Sequence, residues 1–154
     1  MNRELEIDDR APDFELVDGA GQVHRLSDYR GQPVVLVFYL LDFNPVCSEE
    51  HACFMDILPQ LGRLEAQVLG ISVDSRWAHA AFAKARGITY PLLADFHPKG
   101  AVGRLYGVYA DDVGYHRRWT FVIDPEGRIS HIQRNEFAEV PDLEEVVQAV
   151  VRAT

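Results

Sequence analysis

The residues that most constrain this chain run from Val34 to Leu41, an unbroken apolar stretch rich in β-branched and aromatic side chains. Gly31-Gln32-Pro33 precede it and Asp42 ends it, so it has the length and boundaries of a strand rather than a helix. A strand without a polar face must be covered on both sides, the condition of a central strand in a layered α/β domain. The residues that follow, Asp42-Phe43-Asn44-Pro45-Val46-Cys47, make a polar, proline-containing corner. Pro45 favours a helix start, which leaves a cysteine in the first turn.

The other segments supply the cover. Phe14-Glu15-Leu16-Val17 alternates as a strand does, Asp18-Gly19-Ala20-Gly21 is a turn, and Gln22 to Leu26 returns as a hairpin. Ser27-Asp28-Tyr29 reads as a helical turn. From Val46 to Leu64 the apolar residues Cys53, Phe54, Ile57, Leu58, Leu61 and Leu64 recur at helical spacing, and Pro59 is expected to kink or shorten that helix. Val68 to Val73 is a second buried strand, and Asp74-Ser75 caps a helix over 76–86 that Gly87 closes. A short strand at Leu92-Leu93, a loop over 95–100 and a short helix over 101–106 come next. A strand over 118–123, the turn Asp124-Pro125-Glu126-Gly127, a returning strand over 128–134 and an amphipathic helix over 141–151 complete the pattern. This order predicts one domain, residues 1–154, an α/β sandwich with a central mixed β-sheet flanked by helices. The two hairpins, near the start and near residue 125, are what call for a mixed sheet. With a cysteine opening the helix after the first central strand, the arrangement is thioredoxin-like.

Apolar residues at 47% and charged residues at 25% fit a globular domain. A formal charge of -9 argues against nucleic-acid binding, which calls for clustered Lys and Arg. No apolar run reaches the roughly 20 residues of a membrane helix. The polar start, Met1 to Arg10, has neither the basic nor the apolar segment of a signal peptide, so a cytoplasmic location is expected. Two cysteines, Cys47 and Cys53, are too few for a disulfide framework; in a reducing compartment they are free thiols, a metal pair or redox residues. His51 shares a helix face with Cys47. The other histidines, His24, His79, His97, His116 and His131, show no ligand spacing, and no C-x-x-C occurs. No metal or organic cofactor is expected.

A thiol at a helix N-terminus meets unpaired N–H groups and the positive end of the helix dipole, both of which favour thiolate. Asn44 adds an amide that can donate and accept. The same residues also fit a bland reading, with Cys47 a small core hydrophobe and Arg118 a surface charge beside Arg117. Residue mechanics alone leave both open. Six helical residues turn through about 600° and rise about 9 Å, so Cys47 and Cys53 lie on different faces of an intact helix. A disulfide needs Cα atoms within about 7 Å.

Several segments, in order, resemble a known family. They are Ala11-Pro12-Asp13-Phe14, Leu26-Ser27-Asp28-Tyr29-Arg30-Gly31, Phe38-Tyr39-Leu40-Leu41-Asp42-Phe43, Asp95-Phe96-His97-Pro98-Lys99-Gly100, Tyr106-Gly107-Val108 and Arg118-Trp119-Thr120-Phe121-Val122-Ile123-Asp124. From Ala11 to about Asp142 the chain is similar to the peroxiredoxins, the AhpC/TSA thiol peroxidases, and most similar to their one-cysteine alkyl hydroperoxide reductase E branch. The resemblance implies that the Cys47 thiolate attacks a peroxide O–O bond and becomes sulfenic acid. It matches Glu50 and Arg118 to the family's glutamate and arginine. A guanidinium suits that role, because it stabilises thiolate and donates to an oxygen that gains charge. Glu50 alone would raise the thiol pKa, so its expected use is to hold Arg118. The resemblance also implies hydrogen peroxide, organic hydroperoxides or peroxynitrite as substrate, and a thiol or a thioredoxin- or glutaredoxin-like protein as reductant. A homodimer or larger homo-oligomer is implied too, with no nucleic-acid or membrane partner.

The family motif is P-x-x-x-(T/S)-x-x-C, and this chain departs from it twice, with Leu40 at the proline and Asn44 at the Thr or Ser. Leu40 can shield the thiolate but cannot fix the backbone. Some relatives place a resolving cysteine five positions after the first. Cys53 is six positions on, so it is either a possible resolving residue or a structural one. The departures keep two rivals open: a redox-sensing or holdase module with a degraded peroxidase motif, and a fold in which Cys47 is inert.

Overall fold

The computed structural model describes residues 4–154. A short hairpin, β1 (Glu15–Val17) and β2 (Val23–Arg25), leads through a 3-10 turn at Leu26–Tyr29 into β3 (Val34–Phe38). Then come α1 (Pro45–Arg63), β4 (Gln67–Ser72), α2 (Arg76–Arg86), β5 (Leu92–Ala94) and α3 (Ala101–Leu105). A small hairpin, β6 (Tyr109–Ala110) and β7 (Tyr115–His116), precedes β8 (Arg118–Ile123), β9 (Ile129–Asn135) and α4 (Leu143–Ala153). Five strands form the main sheet in the order β5-β4-β3-β8-β9. β3 pairs parallel with β4 and antiparallel with β8, so the sheet is mixed, as expected. One expectation needs correcting. The β1–β2 hairpin forms its own two-stranded sheet, linked to the main one by an isolated Asp18–Leu93 bridge, so β8 and β9 make the main sheet mixed.

Alternation along β3 divides the interior in two. Val35 and Val37 face a core that contains Phe54 and Leu61 of α1, Phe82 of α2 and Val146, Val147 and Val150 of α4. Val34, Leu36 and Phe38 face a second core with Phe14, Leu26, Val102, Tyr106 and Phe121. Both faces of the strand are buried, which is why it has no polar residue. On β8 the same period sends Phe121 and Ile123 to the second core and Val122 to the first. Arg118 and Thr120 share the parity of Val122 and so lie on the α1 face.

The caps follow the local sequence. Ser75 Oγ accepts from Ala78 N, and Gly87 ends α2 at φ +67°, where a Cβ would be strained. Pro59 does not shorten α1, which runs on to Arg63. The final helix starts two residues later than its periodicity suggests, at Leu143, where Asp142 accepts from Glu145 N. Asp111-Asp112 is the turn of the β6–β7 hairpin, whose two-residue strands are too short to show a period. No helix among the described residues is long and apolar enough to cross a membrane.

Candidate active site

The corner after β3 is built by its own residues. Asn44 caps α1, its Oδ1 accepting from Val46 N and Cys47 N, each at 3.0 Å. Pro45 occupies the first helical turn, where its missing N–H costs nothing, and Cys47 is the third helical residue. The Cys47 side chain thus lies at the positive end of α1, on the end of the sheet where β3 leaves and β8 enters. It is fully buried.

Arg118, at the start of β8, reaches it from across the sheet. Nη1 donates to Cys47 Sγ at 3.2 Å and to Glu50 Oε1 at 2.6 Å. Nε and Nη2 both donate to the carbonyl of Phe137, at 2.9 and 2.6 Å. Two sides of the planar guanidinium are therefore gripped, one by α1 and one by the connection between β9 and α4. Arg118 and Glu50 are each 0% exposed, so Arg118 is no surface charge like Arg117. A buried pair of this kind is costly unless satisfied, and Glu50 Oε2 has no protein partner.

Burial pushes the Cys47 thiol up; the Arg118 charge, a hydrogen bond from the Leu41 backbone and the Arg118 hydrogen bond pull it down, while Glu50 adds to the rise. Burial also raises Glu50 to about 7, against the pull of Arg118. One guanidinium nitrogen serves both acceptors, so the site is neutral when Cys47 and Glu50 share a single negative charge.

The other singled-out residues stand apart from this contact set. His51 is buried and hydrogen-bonded through Nδ1 to the Tyr90 hydroxyl. Burial, with the charges of His79 and Arg118, lowers it to about 3, so it is a neutral core histidine. Cys53 is a free, half-buried thiol further along unbroken α1. Leu40, at the motif's proline position, is 5% exposed and packs in the α1 core. The Phe137 carbonyl and the Leu41 backbone escaped the sequence reading, since a backbone group carries no residue signature. Also unforeseen is a cluster in which ligand-type atoms of Asp42, Asp74 and His79 lie within 4.8 Å of one another.

Comparison with known proteins identifies the family. Residues 7–132 match the model of the AhpC/TSA family. Alkyl hydroperoxide reductase E of Mycobacterium tuberculosis is 39% identical over 139 residues, covering 90% of this chain and 91% of that protein. Among solved structures, peroxidoxin BcpB from Mycobacterium tuberculosis superposes with a TM-score of 0.87 at 29% identity, covering 98% of this chain and 99% of the other. Enterococcus faecalis AhpC gives 0.84 at 32% identity, covering 95% and 90%.

Proposed function

The chain belongs to the AhpC/TSA family and is a thiol peroxidase of the peroxiredoxin type, and we propose that Cys47 is its peroxide-reducing residue. The observation that carries the assignment is the buried Arg118 guanidinium, which donates to Cys47 Sγ while Glu50 holds its other flank. The Cys47 thiolate attacks one peroxide oxygen, the O–O bond breaks, and sulfur loses two electrons. The products are Cys47 sulfenic acid and water, an alcohol or, from peroxynitrite, nitrite; the oxygen that leaves as water or alcohol takes up the proton that the thiol gave up. Arg118 stabilises the thiolate and then the oxygen that gains charge. Glu50 orients Arg118. Asn44 Oδ1 is committed to the helix cap, which leaves its amide N–H groups as the donors that replace the motif's hydroxyl.

Substrates are hydrogen peroxide, organic hydroperoxides or peroxynitrite, and no metal or organic cofactor takes part. An outside thiol, or a thioredoxin- or glutaredoxin-like protein, reduces the sulfenic acid. Resolution by Cys53 would require the first turns of α1 to unwind, since an intact helix keeps the two sulfurs on different faces. The reaction takes place in the cytoplasm. The protein works as a homodimer, for which the exposed side chains of Phe96 and Val113, beside a cleft also lined by Leu41 and Val73, offer an apolar face.

Stopped-flow mixing of reduced protein with each peroxide tests the assignment. Oxidation orders of magnitude faster than that of free cysteine, abolished in Cys47→Ser and unchanged in Cys53→Ser, is expected; a wild-type rate equal to that of free cysteine overturns it. A coupled assay separates the redox-sensor rival, which would oxidise once and fail to cycle with any reductant.

A further inference from the structure

Of the buried polar networks that the proposed chemistry leaves unused, one is attached to the active-site corner. Asp42 stands two residues before Asn44, the cap of α1, whose Oδ1 accepts from Cys47 N. Asp42 Oδ1 accepts from the Tyr39 hydroxyl at 2.6 Å, and Asp42 Oδ2 lies 2.7 Å from His79 Nδ1. The His79 and Asp42 side chains are 0% and 1% exposed. The Asp42 backbone N–H donates to Asp74 Oδ2 at 2.9 Å, an oxygen that also accepts from Ser72 Oγ at 2.7 Å.

Proton counting defines the central contact. His79 Nε2 lies 3.0 Å from the Leu93 carbonyl, which can only accept, so Nε2 carries a hydrogen. Nδ1 faces Asp42 Oδ2 and also lies 3.3 Å from the Tyr39 hydroxyl, so the carboxylate, the imidazole and the phenol form one hydrogen-bonded triad. The 2.7 Å separation of Nδ1 and Oδ2 is that of a hydrogen bond. The cluster is therefore knit by hydrogen bonds between side chains.

The corner has reason to need such an anchor. Phe43 has φ +67°, a left-handed conformation unfavourable for a non-glycine residue. Its ring packs edge-on against Phe82, with centroids 5.0 Å apart. Phe82 lies one turn beyond His79 on α2, so that helix holds the corner at two adjacent points.

We propose that Asp42 and His79 are positioning residues for Cys47: their bond holds the corner in the conformation that sets the Asn44 cap on the first turn of α1, and with it the thiol against Arg118. The peroxide-rate part of this inference rests on the function proposed above; the part that concerns the thiol does not.

The test uses His79→Leu and His79→Asn in a Cys53→Ser background, so that a single thiol titrates. Absorbance of the thiolate at 240 nm gives the Cys47 pKa, and stopped-flow gives the peroxide rate. His79→Leu is expected to raise the thiol pKa by about one unit and to slow peroxide oxidation about tenfold. His79→Asn, whose amide can still donate to Asp42, is expected to recover most of both. A His79→Leu protein that stays folded at the assay temperature, melts lower, and keeps the wild-type thiol titration and rate would make His79 a core filler only and overturn the proposal. If His79→Leu fails to fold, Tyr39→Phe decides. It removes one hydroxyl from Asp42 and should shift the thiol pKa in the same direction, and an unchanged value there refutes the proposal. A wild-type protein no faster with peroxide than free cysteine would refute the proposed function, yet the thiol titrations would still decide the role of His79.

Discussion

Arg118 shows what one residue does here and how little of it is visible in the chain. Its neighbours Arg117 and Trp119 give no sign that it is buried, and only strand alternation from Val122 backwards puts it on the α1 face. Once there it donates to a thiol, a carboxylate and a backbone carbonyl at the same time. Arg118→Gln removes the charge and the second donor, and should lower the rate of peroxide oxidation by about 10²–10³, measured by stopped-flow on reduced protein. The Cys47 thiol pKa should rise in the same variant, because the lost guanidinium is the first of the groups that pull it down. Asn44→Ala isolates the cap. The expected cost is about 1 kcal/mol in denaturant unfolding, with a smaller loss of rate than Arg118→Gln, because Cys47 N and Val46 N lose an acceptor while the charge stays. Asn44 and Cys47 stood out in the chain as an amide and a thiol at a helix start, whereas Glu50 and Arg118 were named only through the family resemblance. The Phe137 carbonyl was legible in neither way.

At the scale of an element, α1 buries two ionisable residues side by side, and they pull stability in opposite directions with pH. His51 is held near 3 against an ordinary 6.5. A depressed histidine contributes stability that is present above pH 6.5 and lost as pH falls towards 3. Glu50 is held at about 7 against 4.5, so its contribution is present below pH 4.5 and lost as pH rises through 7. Between pH 7 and 5 the two slopes oppose each other, each amounting to about 2 kcal/mol. His51→Leu should therefore grow more stable as pH falls from 7 to 5, and Glu50→Gln less stable, in urea titrations at the two pH values. Parallel slopes for the two variants would contradict this account. The periodicity of α1 was plain from Cys53 to Leu64. The burial of Glu50 and His51 was not, because a polar residue in the first two turns reads as solvent-facing until Arg118 and Tyr90 are known to meet it.

Across the whole molecule, the second core depends on contacts between distant segments that tolerate almost no added volume. Asp95, after β5, accepts from Val102 N, Gly103 N and His116 Nε2, and thereby ties α3 and the β6–β7 hairpin to the end of the sheet. A Cβ at Gly103 would fall 2.1 Å from His116 Cε1, inside a fully buried ring. Gly103→Ala should cost about 3 kcal/mol in unfolding free energy by urea titration, an overpacking penalty, while leaving the Cys47 corner intact. Sedimentation of the wild-type chain and of Phe96→Glu should give a dimer and a monomer respectively, if the exposed face beside Leu41 is where two copies meet. The sequence by itself determined the layers, the buried central strand, the corner and the cysteine at a helix start. Each of these is set locally, by side-chain period, by breakers and by a cap whose partners lie two or three residues away. Only the tertiary structure decided what surrounds the thiol. Arg118 meets Cys47 across 71 positions, His79 meets Asp42 across 37, and Phe137 meets Arg118 across 19. Such contacts arise from strand pairing and helix packing, and in the last case from a backbone carbonyl that every residue carries, so no local pattern in the chain encodes them.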